Sequence, residues 1–197
     1  MKATPSVSDA EPLGGGGPNR HGMPKLPIGQ HPVEKWPVLD LGHHPAVPLE
    51  RWTLRIDGAV ENAVTLSWSD FIGLHCVTTW SKMDMAWVGV RFADVAALAR
   101  PSAGASHAMG HAYDGYSTNI ALVETLEPDV LLAHRVDGIP LAREHGGPVR
   151  MITPQLYAWK GAKWIERIEL LEADSPGFWE QRGYSMTAYP WRDDRYS

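Results

Sequence analysis

Cysteine is almost missing from this chain of 197 residues, with Cys76 the single example. A lone thiol excludes an intramolecular disulfide and any Cys-x-x-Cys metal or redox pair. Long apolar runs are missing as well, and no stretch approaches the ~20 residues of a membrane helix. The first residues hold neither the apolar core of a signal peptide nor a twin arginine. Together these absences predict a cytoplasmic protein that works without a membrane. Positive charge is also short, with 18 Lys and Arg against 23 Asp and Glu and a net charge of −5. A broad nucleic-acid face needs a basic surface, so nucleic acid is excluded as a partner. No His-Glu-x-x-His occurs, the histidines fit no zinc spacing, and no repeat period is visible.

What is present is the composition of an ordinary globular domain, 44% hydrophobic and 21% charged. Residues 1–30 are rich in Pro, Gly and Ser and contain Gly14-Gly15-Gly16-Gly17-Pro18. They bury too little apolar surface to offset ordering entropy, and read as a flexible leader. Residues 31–197 read as one domain. Its first stretch, to Pro48, carries Trp36, Val38, Leu39 and Leu41 among prolines, as extended chain lying over a surface would.

Trp52 to Ile56 alternates and runs into Asp57-Gly58, a strand followed by a turn. Val64 to Leu66 reads as a second strand, and Ser67 or Ser69 as the cap of a short helix. Gly73 to Thr79, with Cys76, reads as strand. Phe92 to Ala99 is the strongest helix, with Pro101 just beyond it. Val130 to Ala133 leads to another Asp-Gly turn, and Val149 to Ile152 is a short buried strand stopped by Pro154. Trp164 to Leu171 alternates like a half-solvated strand. The last segment, from Pro176, reads as an irregular aromatic tail. Many short strands and one clear helix predict a mixed, β-rich α+β domain.

Three features could carry chemistry. Cys76 could be a small buried hydrophobe, a nucleophile served by a distant base, or a thiolate ligand. One thiolate cannot hold zinc alone, but it can complete the shell of a metal already chelated by a cofactor. Arg150, Lys160 and Lys163 set cations among apolar and aromatic residues, with Gly161 between the lysines. Solvated strand ends with their stems on tryptophan account for that pattern, and a buried anion is the other reading it allows. The histidines His43, His44, His107, His111, His134 and His145 read mainly as surface or hydrogen-bonded core residues.

At these motifs the sequence resembles the sulfite oxidase-like molybdopterin oxidoreductases, particularly catalytic subunits of the bacterial protein-methionine-sulfoxide reductase kind. The anchors are His75-Cys76-Val77-Thr78-Thr79-Trp80-Ser81, the run from Leu131 to Gly138, His145-Gly146-Gly147-Pro148-Val149-Arg150, and Lys160-Gly161-Ala162-Lys163-Trp164. Their shared order and spacing say more than any one of them. The resemblance implies a sulfite oxidase-type fold holding molybdenum on a pyranopterin dithiolene without a nucleotide. Cys76 would be the protein's ligand to the metal. His145, Arg150, Lys160, Gly161, Ala162 and Lys163 would hold the pterin and its phosphate, with His43 and His44 meeting the pterin from the N-terminal segment. Tyr116 and Asn119 would line the substrate side, Tyr116 as a catalytic residue. A soft thiolate suits a metal that already carries cofactor sulfur.

The implied activity is two-electron oxygen-atom transfer on a small substrate such as an S-oxide, an N-oxide or a sulfite-like anion. Electrons would pass to or from a separate protein. Sulfite oxidases carry arginine four residues after the ligand cysteine; Trp80 stands there, which favours a neutral or apolar substrate. The chain is also too short for the haem and dimerisation domains of animal sulfite oxidases. Two other readings stay open: a carrier that binds molybdopterin without turnover, and a metal-free domain with Cys76 buried.

Overall fold

The computed structural model describes residues 18, 22–24, 26–31, 33, 35–74, 78–82 and 85–197. Cys76 lies outside the described residues, as does most of the expected leader.

Buried and exposed positions alternate through β1 (Thr53–Gly58), which points Leu54 and Ile56 inward and Thr53 and Arg55 outward. β2 (Val64–Ser67) pairs antiparallel with it and runs directly into α1 (Trp68–Gly73). Ser67 is the N-cap: its hydroxyl accepts from Asp70 N, and the Asp70 carboxylate accepts from Ser67 N at 2.9 Å. This reciprocal box satisfies donors that the first helical turn would otherwise leave bare. Of the strand expected over Gly73 to Thr79, Gly73 ends α1 and Thr78 and Thr79 belong to β3 (Thr78–Lys82), while residues 75–77 lie outside the described residues.

β4 (Met85–Arg91) follows, then α2 (Phe92–Ala99). α2 buries Phe92, Val95, Ala96 and Ala99, the one-sided spacing of a surface helix. Complete burial of Phe92 contributes roughly 1.5–3 kcal/mol. β5 (His107–Ala112), β6 (Ser117–Ala121) and α3 (Leu122–Thr125) come next, and the sequence patterns marked none of the three. Large apolar residues are sparse in the two strands, Met109 and Ile120 alone, so pairing defines β5 and β6, not periodicity. β7 (Leu131–Val136), β8 (Ile139–Pro140), β9 (Arg150–Ile152) and β10 (Ile165–Leu171) complete the order.

One five-stranded sheet runs β2-β1-β10-β5-β6, with β1 and β10 parallel and the other pairs antiparallel. The second runs β3-β4-β7-β8, and β9 joins it along the other part of β7. A large core cluster holds Leu54, Ile56, Phe71, Phe92, Met151 and Ile168. A smaller one gathers Trp87, Leu131, Ala133 and Ile152, with Trp36 packed against it. The mixed, β-rich α+β reading therefore holds, and the site sits at the smaller cluster.

Candidate functional site

β9 is only three residues long, yet its alternation decides where a charge goes. Val149 and Met151 belong to the large core, while Ile152 on the alternate face joins Trp87 and Ala133 in the smaller one. Arg150, paired in register with Ala133, shares that second face and is 8% exposed. Its guanidinium carbon lies 5.9 Å from the Trp36 ring centre and 5.8 Å from that of Trp87. Nη1 donates to the His145 carbonyl at 3.1 Å, while Nε is buried without a partner. Burial alone pushes the Arg150 pKa down to about 10.

His145 ends a 3-10 turn, Arg143–His145. Its imidazole stacks flat on Trp36, ring centres 3.6 Å apart and planes within 1°. Its Nδ1 is buried and unpartnered, as is Nε1 of Trp87. Burial holds its pKa below the ordinary range, Glu144 raises it, and Lys163 and Arg150 lower it.

Gly146 follows with φ +103, and a Cβ there would stand 3.0 Å from the Cβ atoms of both Arg150 and Lys163. Only glycine lets the chain adopt that turn while both cation-bearing residues close on it. Trp164 is the counterpart: a fully buried, bulky residue at φ 48, held by its N–H on the Gly146 carbonyl and its indole N–H on the Arg143 carbonyl at 2.7 Å. A large side chain kept in the left-handed region marks a place that the surroundings over-determine, and such places cluster at functional sites.

Lys163 is thereby laid across the loop, donating to the Glu144 carbonyl at 2.8 Å, with Asp40 3.9 Å away. Burial first, then Arg150, lowers its pKa. Asp40 also bonds His44 at 2.7 Å, so His44 reaches the site through Asp40, whereas His43 is exposed. Gly161 and Ala162 act through backbone: a Cβ on Gly161 would stand 2.6 Å from the Met151 carbonyl, and Ala162 O accepts from Met151 N. The glycine thus seats this segment on β9.

His145, Arg150, Lys163 and the Asp40–His44 pair form one neighbourhood: cations and buried nitrogens that find no partner among the described residues, set against aromatic rings. A buried polar nitrogen without a partner costs roughly 1–3 kcal/mol, so this cluster is built for a ligand that brings acceptors and negative charge. A flat heterocycle bearing a phosphate has both, and the donor set fits it.

The remaining candidates belong to a second network. Lys160 donates to Glu180 at 2.6 Å and to the Asn119 carbonyl and side-chain oxygen at 2.9 and 2.8 Å, with Lys160 and Glu180 wholly buried side chains. The Asn119 amide donates in turn to Asp174 at 2.7 Å. Tyr116 donates to the Trp159 carbonyl at 2.5 Å, and burial, then Glu180, raises its pKa. The structure thus separates Lys160, Asn119 and Tyr116 from the Arg150 cluster. Trp36, Trp87, Asp40 and Glu180 are participants that sequence reasoning missed. Only the Asp40-to-His44 spacing of four residues hinted at one of them.

The Oxidoreductase molybdopterin binding domain family matches residues 42–179, which spans His44, His145, Arg150 and Lys163. The chain belongs to this family. It is 37% identical over 183 residues to an uncharacterized oxidoreductase, YuiH, of Bacillus subtilis (strain 168), covering 88% of this chain and 92% of that protein. It is 29% identical to the protein-methionine-sulfoxide reductase catalytic subunit MsrP of Gluconobacter oxydans, over 66% of this chain and 50% of MsrP. Mouse mitochondrial sulfite oxidase is 32% identical over 50% of this chain, but the match spans only 20% of that enzyme. In fold, the chain is similar to the sulfane dehydrogenase SoxCD of Paracoccus pantotrophus, with TM-score 0.62 at 15% identity, covering 92% of this chain and 62% of that one. This family member is an oxidoreductase of the sulfite oxidase-like class, and its cofactor is Mo-molybdopterin. Among the described residues, no helix is long and apolar enough to cross a membrane.

Proposed function

We propose that this oxidoreductase moves one oxygen atom, in a two-electron step, onto or off a small S-oxide, N-oxide or sulfite-like substrate. Molybdenum would be held by the pyranopterin dithiolene and by the Cys76 thiolate. The observation that carries the reading is the set of unpaired buried nitrogens on His145, Arg150 and Trp87, gathered around two aromatic rings beside Lys163. When bound, the cofactor supplies the redox centre, and the protein supplies position and electrostatics.

Arg150 and Lys163 would hold the phosphate and supply its countercharge. His145 would offer Nδ1 to the ring system, and burial holds its pKa below the ordinary range. Asp40 orients His44 and restrains Lys163, and His43 extends the same N-terminal segment. Gly161 and Ala162 clamp the Lys163 segment to β9. Lys160, Asn119 and Tyr116 are positioning residues: their sealed bonds to Glu180 and Trp159 fix the loop between β9 and β10. Trp36 and Trp87 exclude water from the pterin. Electrons leave or arrive through a separate protein, and the single cysteine fits a reducing cytoplasm. Sulfite oxidase and methionine-sulfoxide reductase, named among the relatives, both act on sulfur–oxygen compounds, which supports this substrate class.

The test is metal and pterin analysis of protein made in a host that synthesises the cofactor. We expect molybdenum and pterin near one per chain, loss of molybdenum in Cys76→Ser, and turnover with an S-oxide or sulfite using an artificial electron carrier. Metal and pterin without redox cycling would make the chain a carrier and sink the catalytic reading. Absence of both would sink the reading outright.

A further inference from the structure

An opening borders the Arg143–Pro148 loop, with Arg143, Gly147 and Pro148 in its lining. It is a groove of about 680 Å³, within the range of small-ligand sites. Val47, Trp68, Ile72 and Leu141 give it apolar walls, and among the described residues none assigned above to the cofactor lines it. His134 faces it from β7, its ring set edge-on against Trp68 and Phe71. Burial, then Arg135, lowers the His134 pKa, so the imidazole adds a neutral polar face.

Among the described lining residues, the arginines are Arg135 and Arg143, and none is a carboxylate. Arg135 is fixed by a bond to the Gly138 carbonyl at 3.2 Å, and among the described residues neither arginine pairs with a carboxylate. Asp137, the acid on that hairpin, turns its carboxylate to the Ala86 N–H at 2.8 Å and does not line the groove. The described lining is therefore mostly apolar with arginine as its charged type, which discriminates against cations and favours an apolar body.

We infer that this groove binds a small amphiphilic anion, an aliphatic or aromatic carboxylate or sulfonate, with its body against Trp68 and Ile72 and its head at Arg143 and Arg135. The site does not draw on His145, Arg150 or Lys163, so it does not rest on the oxygen-transfer reading. It touches that chemistry only mechanically: the Arg143 carbonyl receives the Trp164 indole N–H, and Gly147 continues the turn from His145. An occupant thus stiffens the loop that presents His145.

Calorimetry of the cofactor-loaded protein with octanoate, benzenesulfonate, octanol and octylamine tests this. Saturable one-to-one binding of an anion is expected, with octanoate and benzenesulfonate deciding between aliphatic and aromatic bodies. Octanol should bind about tenfold more weakly than octanoate, and octylamine not measurably. Arg143→Gln, at an exposed side chain that leaves the fold intact, should weaken anion binding about tenfold. Slower amide exchange across residues 143–147 should accompany binding. The inference is overturned if neither anion saturates, if octylamine binds equally well, or if Arg143→Gln changes nothing. Binding confined to cofactor-free protein also overturns it, because the groove then belongs to the cofactor.

Discussion

Arg150 brings a charge into a buried site that, among the described residues, offers it no carboxylate. The two tryptophan faces and one carbonyl compensate it only in part. The cofactor-free protein therefore carries a charge that an anion would neutralise. Replacing it with methionine, close in volume, should leave cofactor-free stability within about 1 kcal/mol of the wild type or raise it. Pterin and molybdenum content should fall several-fold in the same variant. A loss above ~3 kcal/mol in urea unfolding would show that Arg150 is structural and defeat the assignment. His134 and His145 make a second prediction at this scale. Both have folded pKa values depressed below the ordinary 6.5, so folding favours their neutral forms. That contribution is fully present above pH 6.5 and is lost as pH falls through the folded values. Stability measured by denaturant should decline below pH 6.5, and His134→Phe should flatten part of the slope. A pH-independent midpoint between 7 and 5 would contradict it.

Elements made of alternating large apolar residues declared themselves in the sequence. β1, β7, β10 and α2 fall where the patterns put them, because each buries one face in a core. β4, β5 and β6 did not: β4 and β5 are each held on one side by a distant strand, β7 and β10, and β6 is defined by its hairpin with β5. Gly89 in β4 shows the kind of constraint that no local pattern reveals. A Cβ there would stand 2.4 Å from the Leu132 carbonyl and 2.6 Å from Ala133 Cα, at the register shift between β4 and β7. Gly89→Ala should cost about 3 kcal/mol by prying β7 from β4, read as a lower urea midpoint. It should loosen Arg150 too, since β9 hangs on β7. A shift under ~0.5 kcal/mol would show that the strands can part without penalty.

Across the whole molecule, the tail joins parts that lie far apart in sequence. Glu180 meets Lys160 in complete burial, and Tyr189 donates to the carboxylate of Glu124. Lys160→Met leaves Glu180 buried without its cation and should cost about 3–5 kcal/mol. The double change Lys160→Met with Glu180→Gln should recover a large share of that loss, because no uncompensated charge remains. If the two losses simply add, the pair is not coupled and the tail is held by other contacts.

Chemistry that depends on residue type was settled by the chain alone: one thiol, a cationic segment around Gly161, and glycines at the turns. The order of the motifs was enough to indicate the family, because their spacing is a linear property. The division of the cations was a tertiary decision. Arg150, Lys160 and Lys163 read as one group, yet β9 turns Arg150 toward Trp36 and Trp87 while Lys160 is drawn to Glu180 by the tail. The stack of Trp36 on His145 was equally invisible, joining residues more than a hundred positions apart. Periodicity reports which face of an element is buried; it carries no information about which distant group that face will meet.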